Sequence, residues 1–307
     1  MISNTSINPQ ALLAIRDLEM RARVVVEGLW SGLHRSPLHG FSVEFTEYRE
    51  YSPGDDLRYL DWRALARTDK EYIKKFEDET NLRCHIVLDT SRSMLFGSLD
   101  YNKSDYARTL AATLAYFLIQ QRDVVGLSIF DSEVRDYLPA RWRPGQLRLL
   151  LSKLEREPRG NETNLRQALE EVALLNQKRS LVLIISDFLT PPSEWAKELG
   201  HLVAMRHDVR AIQILDPAEL SLDFGTAAQW EDLETGNKVY IDPEVARKDY
   251  LEKFAEHQAK VRKSFDELGV SFQLASTETP LDYVLLDMIK NGRLARKTIR
   301  ANQRKSG

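Results

Sequence analysis

A chain of 307 residues, 43% hydrophobic and 29% charged, is long enough for one large domain with extensions and ordinary enough in composition to bury a sizeable core. Its formal net charge of -3 supplies no global field for nucleic acid or anionic lipid, and its single cysteine, Cys84, excludes an internal disulfide. The first twenty residues lack a basic start followed by an apolar core, and no run approaches the ~18 apolar residues of a spanning helix, so a soluble, cytoplasmic chain is expected.

The spacing of Leu12, Ile15, Leu18, Ala22, Val25 or Val26, and Leu29 predicts a helix over Pro9 to Leu33, packed on the protein's own core or offered to a partner. From Gly40 to Asn81 the helical pattern gives way to short aromatic and charged alternations around a Ser52-Pro53-Gly54-Asp55 turn, which predict short strands and turns. Here Asp55, Asp56, Arg58, Asp61, Arg63 and Arg67 alternate in sign around Trp62. Such a stretch serves either as an internal salt-bridge network or as a partner surface in which the aromatics supply the contact energy, because exposed ion pairs alone contribute little.

Beyond residue 82 a regular alternation begins. Apolar strands are predicted at 84–89, 124–130, 180–186, 209–215 and 270–275, with a short edge strand at 133–138. Helices are predicted at 104–121, 144–156, 164–177, 193–206, 244–268 and from about Leu281 to Lys290. Strands that are apolar throughout and alternate with amphipathic helices indicate an α/β fold with a mainly parallel central sheet and helices on both faces. A hairpin insertion is predicted at 227–242, turning at Glu234-Thr235-Gly236-Asn237. The expected organisation is therefore 1–81, a helix and β-rich region, 82–290, the α/β domain with its hairpin, and 291–307, a basic solvated tail.

Ligands of open α/β sheets collect outside the carboxyl ends of the strands. Three segments fall there: Asp89-Thr90-Ser91-Arg92-Ser93 after the first core strand, Gly160-Asn161-Glu162-Thr163-Asn164 before a helix, and Ser186-Asp187 at a strand end. Together they offer Asp89, Ser91, Ser93, Thr163 and Asp187, all hard oxygen donors suited to magnesium, with manganese or calcium as alternatives. Hydroxyl ligands are neutral and neutralise a divalent ion less completely than carboxylates do. A metal so held, with an open position, attracts a carboxylate from outside.

Asp89-x-Ser91-x-Ser93 with Thr163 and Asp187 resembles the metal-ion-dependent adhesion site of von Willebrand factor A domains. That resemblance implies Ser91, Ser93 and Thr163 as direct or nearly direct metal ligands, with Asp89 and Asp187 acting directly or through water. A second resemblance lies in Ser52-Pro53-Gly54-Asp55-Asp56-x-Arg58-x-x-Asp61-Trp62-x-x-x-Ala66-Arg67, followed by Lys75-Phe76-Glu77-x-Glu79. This signature is similar to the conserved family of unknown function number fifty-eight, whose members join it to an A domain. The likeness covers about residues 40 to 290. It implies an adaptor or cofactor role beside a MoxR-type AAA+ ATPase, with client proteins presenting an acidic residue to the metal; the charge and hydropathy above predict no nucleic-acid partner and no membrane span.

An enzyme is the rival class, and its motifs are missing. A magnesium-dependent hydrolase or phosphatase of the aspartyl-phosphate kind has a second carboxylate where this chain has Ser91, and neither a GxSxG elbow nor a P-loop occurs in the sequence. The six histidines fall outside the three loops, so no general base is indicated and the chain reads as a non-enzyme. A scaffold whose metal serves only folding is the third alternative.

Overall fold

The alternation of apolar runs and amphipathic stretches folds as a mixed α/β unit. The computed structural model describes residues 7–35, 47–50, 72–75, 82–158, 162–222, 228–231, 238–241 and 243–289. The signature residues Asp55, Asp56, Arg58, Asp61, Trp62 and Arg67 and the basic tail 291–307 lie outside them. Contacts divide the chain into two units, 32–81 and, taken together, 3–31 with 82–307.

Helices α1 (Pro9–Leu13) and α2 (Leu18–Arg35) replace the single helix expected. The break is stabilised by Asp17, whose Oδ1 accepts the Met20 N–H at 2.7 Å. Leu12, Leu18, Ala22, Val25, Val26 and Leu29 are buried, as their spacing requires. In the 32–81 unit, β1 (Glu47–Glu50) and β2 (Tyr72–Lys75) pair antiparallel, with Glu47 opposite Lys75.

The main sheet starts with β3 (Arg83–Asp89), followed by α3 (Lys103–Gln120), β4 (Val124–Phe130), β5 (Val134–Leu138), α4 (Gln146–Leu154) and α5 (Leu165–Leu175). Then come β6 (Leu181–Ser186), α6 (Ala196–Ala204), β7 (Asp208–Leu215) and the short α7 (Pro217–Ser221). The predicted hairpin is β8 (Ala228–Glu231) paired antiparallel with β9 (Lys238–Ile241). The long α8 (Pro243–Leu268), β10 (Ser271–Ser276) and α9 (281–289) complete the unit.

Strand order is β10-β7-β6-β3-β4-β5, parallel except for the antiparallel edge strand β5. From β3 the chain moves outward through β4 to β5, then returns to place β6 on the other side of β3. The strand order therefore reverses between β3 and β6, which is where open α/β sheets form their binding crevice. Both faces are covered, as the unbroken burial of β3, β4 and β6 demands.

One face carries a core of Val87, Val182, Ile184, Leu169, Trp195, Leu199 and Phe265. Phe265 stacks on Trp195 with centroids 5.1 Å apart, and the Phe188 ring meets it edge-on at 5.2 Å. The opposite face is covered by α3, whose start is fixed by a capping box between Asn102 and Asp105. Gly97 permits the loop before α3 to double back, since a Cβ there would lie 2.5 Å from the Tyr101 carbonyl oxygen. That turn lets the Lys103 N–H reach the Phe96 carbonyl at 3.0 Å and sets the first residue of α3 beneath the loop that follows β3.

Candidate functional site

Strand register brings three chain segments to one edge. Asp89 ends β3 opposite Phe130 of β4, and the penultimate Leu88 pairs with Ile185, one residue before the end of β6. Asp89 and Asp187 therefore stand on neighbouring strands at the point of reversal. The loop after β3 is tied to β4, because both the N–H and the hydroxyl of Thr90 donate to the Phe130 carbonyl, at 2.8 and 2.9 Å. The loop before α5 reaches the same end of β4, where the Asn164 N–H donates to the Asp131 carbonyl at 2.9 Å. Thr163, next to Asn164, is half-buried there.

Two carboxylates form the floor. Asp89 is fully buried; its Oδ1 accepts the Ser91 N–H at 2.9 Å and its Oδ2 accepts the Ser186 hydroxyl at 2.6 Å. Burial, and then the charge of Asp187, push its pKa up from 3.8 to about 7, against the pull of the hydrogen bonds from Ser186 and Ser91. Ser91 is buried and Ser93 half-buried, with their hydroxyl oxygens 3.2 Å apart. Asp187 is 2% exposed.

The backbone beyond Asp187 is held in place. Phe188 adopts φ 49°, a left-handed conformation that costs a residue with a Cβ about 1–2 kcal/mol. Its ring is locked in the aromatic core, its N–H donates to the Ser186 hydroxyl at 3.1 Å, and its carbonyl lies 2.9 Å from the His257 ring. Gln213 donates to the Asp187 carbonyl at 2.7 Å. Strain held by this many partners is the usual condition of a positioned functional loop.

A protein-family model described as "Protein of unknown function DUF58" matches residues 47–260. The chain belongs to the DUF58 family. An uncharacterized protein of Mycobacterium tuberculosis is 30% identical over 288 residues, 92% of this chain and 89% of that one. Structural similarity extends to BatB, a conserved hypothetical protein from Bacteroides thetaiotaomicron, at 14% identity and TM-score 0.45 over 68% of this chain and 98% of that one. The VWA domain of SpRpn10 is similar at 10% identity and TM-score 0.39, over 66% and 92% of the two chains.

In this DUF58 chain the five residues singled out in the sequence lie on three loops at one edge of the sheet. Sequence reading missed the cation among them. Lys103, the first residue of α3, is wholly buried and its Nζ donates to Asp187 Oδ2 at 2.9 Å and to Glu219 Oε1 at 2.6 Å. Burial alone would lower its pKa, but Asp187 and Glu219 outweigh burial and raise it, so the ammonium is charged. Glu219 sits on α7 in a capping box with Asp216, and Asp216 in turn accepts from Ser98 and Ala218. The histidines fall outside the loops in sequence, yet His257 comes back to support Phe188.

The donor set fits a hard divalent cation. Asp89, Ser91, Ser93, Thr163 and Asp187 offer only oxygen, and among the described residues no group of three or more His, Cys, Asp or Glu forms a metal cage. Asp89, Asp187 and Glu219 carry three negative charges against the one positive charge of Lys103, which leaves an excess of two when all are ionised. Asp216 is a further buried carboxylate nearby, accepting from Ser98 and Ala218. A divalent ion would offset much of the excess.

Proposed function

We propose that this DUF58 chain is a metal-dependent protein-recognition module. Magnesium, with manganese or calcium as alternatives, is held by Ser91, Ser93 and Thr163, with Asp89 and Asp187 acting directly or through water. The ion supplies an open position for an Asp or Glu of a partner. The observation that carries this reading is the pair of buried carboxylates at the strand reversal, Asp89 pushed up in pKa by burial and then by Asp187, with the Ser91 and Ser93 hydroxyls beside them. Leu95 and Leu189, exposed on the loops after the two carboxylates, give the partner apolar contact beside the ion.

The partner we favour is a MoxR-type AAA+ ATPase, with clients that present an acidic residue, in keeping with the family resemblance of the 52–79 signature. We read the chain as a non-enzyme, with the Ser91 and Ser93 hydroxyls as metal ligands and the Ser186 hydroxyl as a support of the Asp89 carboxylate, and we place it in the cytoplasm.

The test is retention of partners from native extract by wild type and by Asp89→Ala and Ser91→Ala proteins of verified fold, each with magnesium and with chelator. Retention of the ATPase or a client only by metal-loaded wild type supports the reading. Equal recovery in every condition overturns it and moves recognition to the 48–79 region.

A further inference from the structure

Lys103 occupies a position that is unfavourable on every local count. An ammonium at the first turn of a helix opposes the helix dipole, which favours anions there. The side chain is wholly buried, and lysine is almost never so placed unless paired. Its two partners come from α7 and from the end of β6, and a buried ion network of this kind is commonly no more stable than apolar residues of the same volume. Stability alone is therefore a weak reason for Lys103 to be there.

The geometry does give a reason at the candidate metal site. Asp187 Oδ2 is committed to Lys103, whereas Oδ1 meets only the Leu189 N–H, at the long distance of 3.4 Å, among the described residues. Oδ1 is thus the oxygen left for a cation or its water, on a carboxylate whose other oxygen already faces a positive charge. Glu219, behind Lys103, returns part of that charge. We infer that Lys103 is the charge-setting residue of the adhesion site: with Glu219 as its counterweight, it withdraws part of the Asp187 charge from the bound ion, so that the site holds a divalent cation loosely and leaves it able to capture a carboxylate from a partner.

This inference rests on the metal-dependent reading above and deepens it. It also links the site to the rest of the unit. The Glu219 carbonyl accepts the Tyr250 hydroxyl at 2.8 Å, so the counterweight is anchored to α8 as well as to its own cap.

The experiment compares cation binding by wild type, Lys103→Met, Glu219→Gln and the double variant. Manganese affinity is measured by calorimetry and terbium binding by luminescence, with circular dichroism and melting in chelator as the check of fold. In a buried site a unit charge acts with little screening. Removing the ammonium is expected to tighten manganese at least tenfold and terbium, with its third charge, by more. Removing the Glu219 charge is expected to weaken manganese by about tenfold, and the double variant to return to within a few-fold of wild type. A merely structural Lys103 predicts the reverse, with weaker metal binding in Lys103→Met and no rescue by the second change. Folded Lys103→Met that binds manganese no tighter than wild type overturns the inference alone. Should that variant not fold, unchanged affinity in Glu219→Gln overturns it, and a tenfold loss there supports it. Wild type that binds no cation overturns the metal-dependent reading and this inference together.

Discussion

The burial of Asp89 beside Asp187 makes a prediction that runs against the usual effect of altering a buried charged residue. Asp89→Asn removes one charge and keeps the side-chain shape. The carboxyl stands at about 7 in the fold against its ordinary 3.8, a displacement of about 4 kcal/mol at 1.36 kcal/mol for each pH unit. An amide no longer accepts the Ser186 hydroxyl as the carboxylate does, which offsets about 1 kcal/mol. In chelator at pH 8 the variant is therefore more stable than wild type by about 3 kcal/mol, or roughly 6–10 °C in Tm for a unit of this size. Because the folded pKa is raised, the Asp89 contribution is fully present below the ordinary value of 3.8 and is lost as pH rises through about 7. At pH 5 most of the difference accordingly disappears, leaving about 1 kcal/mol or less. Urea unfolding at the two pH values measures both quantities. The variant should also lose its thermal shift on adding magnesium. Destabilisation by Asp89→Asn at pH 8 in chelator would refute the reasoning, since it would mean that the hydrogen bonds of the carboxylate outweigh the cost of its burial and of its repulsion by Asp187.

Three further outcomes are expected. His85 is buried against Ser128, and burial, then the charge of His207, lower its pKa from 6.5 to about 3. A lowered histidine stabilises the fold above its ordinary value and loses that contribution as pH falls, so about 2 kcal/mol should disappear between pH 6.5 and 5, measured by urea unfolding in the Asp89→Asn background where the opposing carboxyl is absent. Trp195→Ala opens the aromatic core around Phe188 and Phe265 and should cost about 3–5 kcal/mol, with a loss below 1 kcal/mol in urea unfolding counting against this packing. Gly126→Ala would place a Cβ 2.6 Å from both the Ala140 nitrogen and the His85 ring, and should destabilise by at least about 3 kcal/mol or abolish soluble expression.

The parallel sheet was legible because its strands are buried on both faces and so read as unbroken apolar runs, which helices cannot imitate at such short length. The site loops were legible because chain position at a strand end already implies convergence. Other features depend on long-range partners and leave no local mark. Lys103 falls at the edge of a predicted helix that begins at Ser104, where a lysine reads as solvated; its burial is made possible by acids 84 and 116 residues further on. His257 supports a carbonyl 69 residues back in the chain. The division of the N-terminal helix failed to register because apolar residues keep helical spacing across the break, while the cap at Asp17 is a single carboxylate.

Three unfavourable local choices of the main unit meet at one place. A carboxyl is pushed up by burial and by its neighbour, a lysine opposes its own helix dipole, and a phenylalanine sits in the left-handed region, all at the junction of β3, β6 and the start of α3. Elsewhere the left-handed residues Arg122, Arg206 and Leu222 lie just past the ends of helices, while α3 and α7 carry capping boxes and the core strands are apolar throughout. Sequences depart from local consistency mainly where function requires it. A network serving only stability would tend toward internal neutrality, because an unbalanced buried charge is costly. This one keeps negative charge in excess when ionised, beside the neutral hydroxyls of Ser91 and Ser93. Such an arrangement is poorly stabilised alone, the aromatic core around Phe188 holds the backbone beside it, and the divalent ion proposed above would offset its charge.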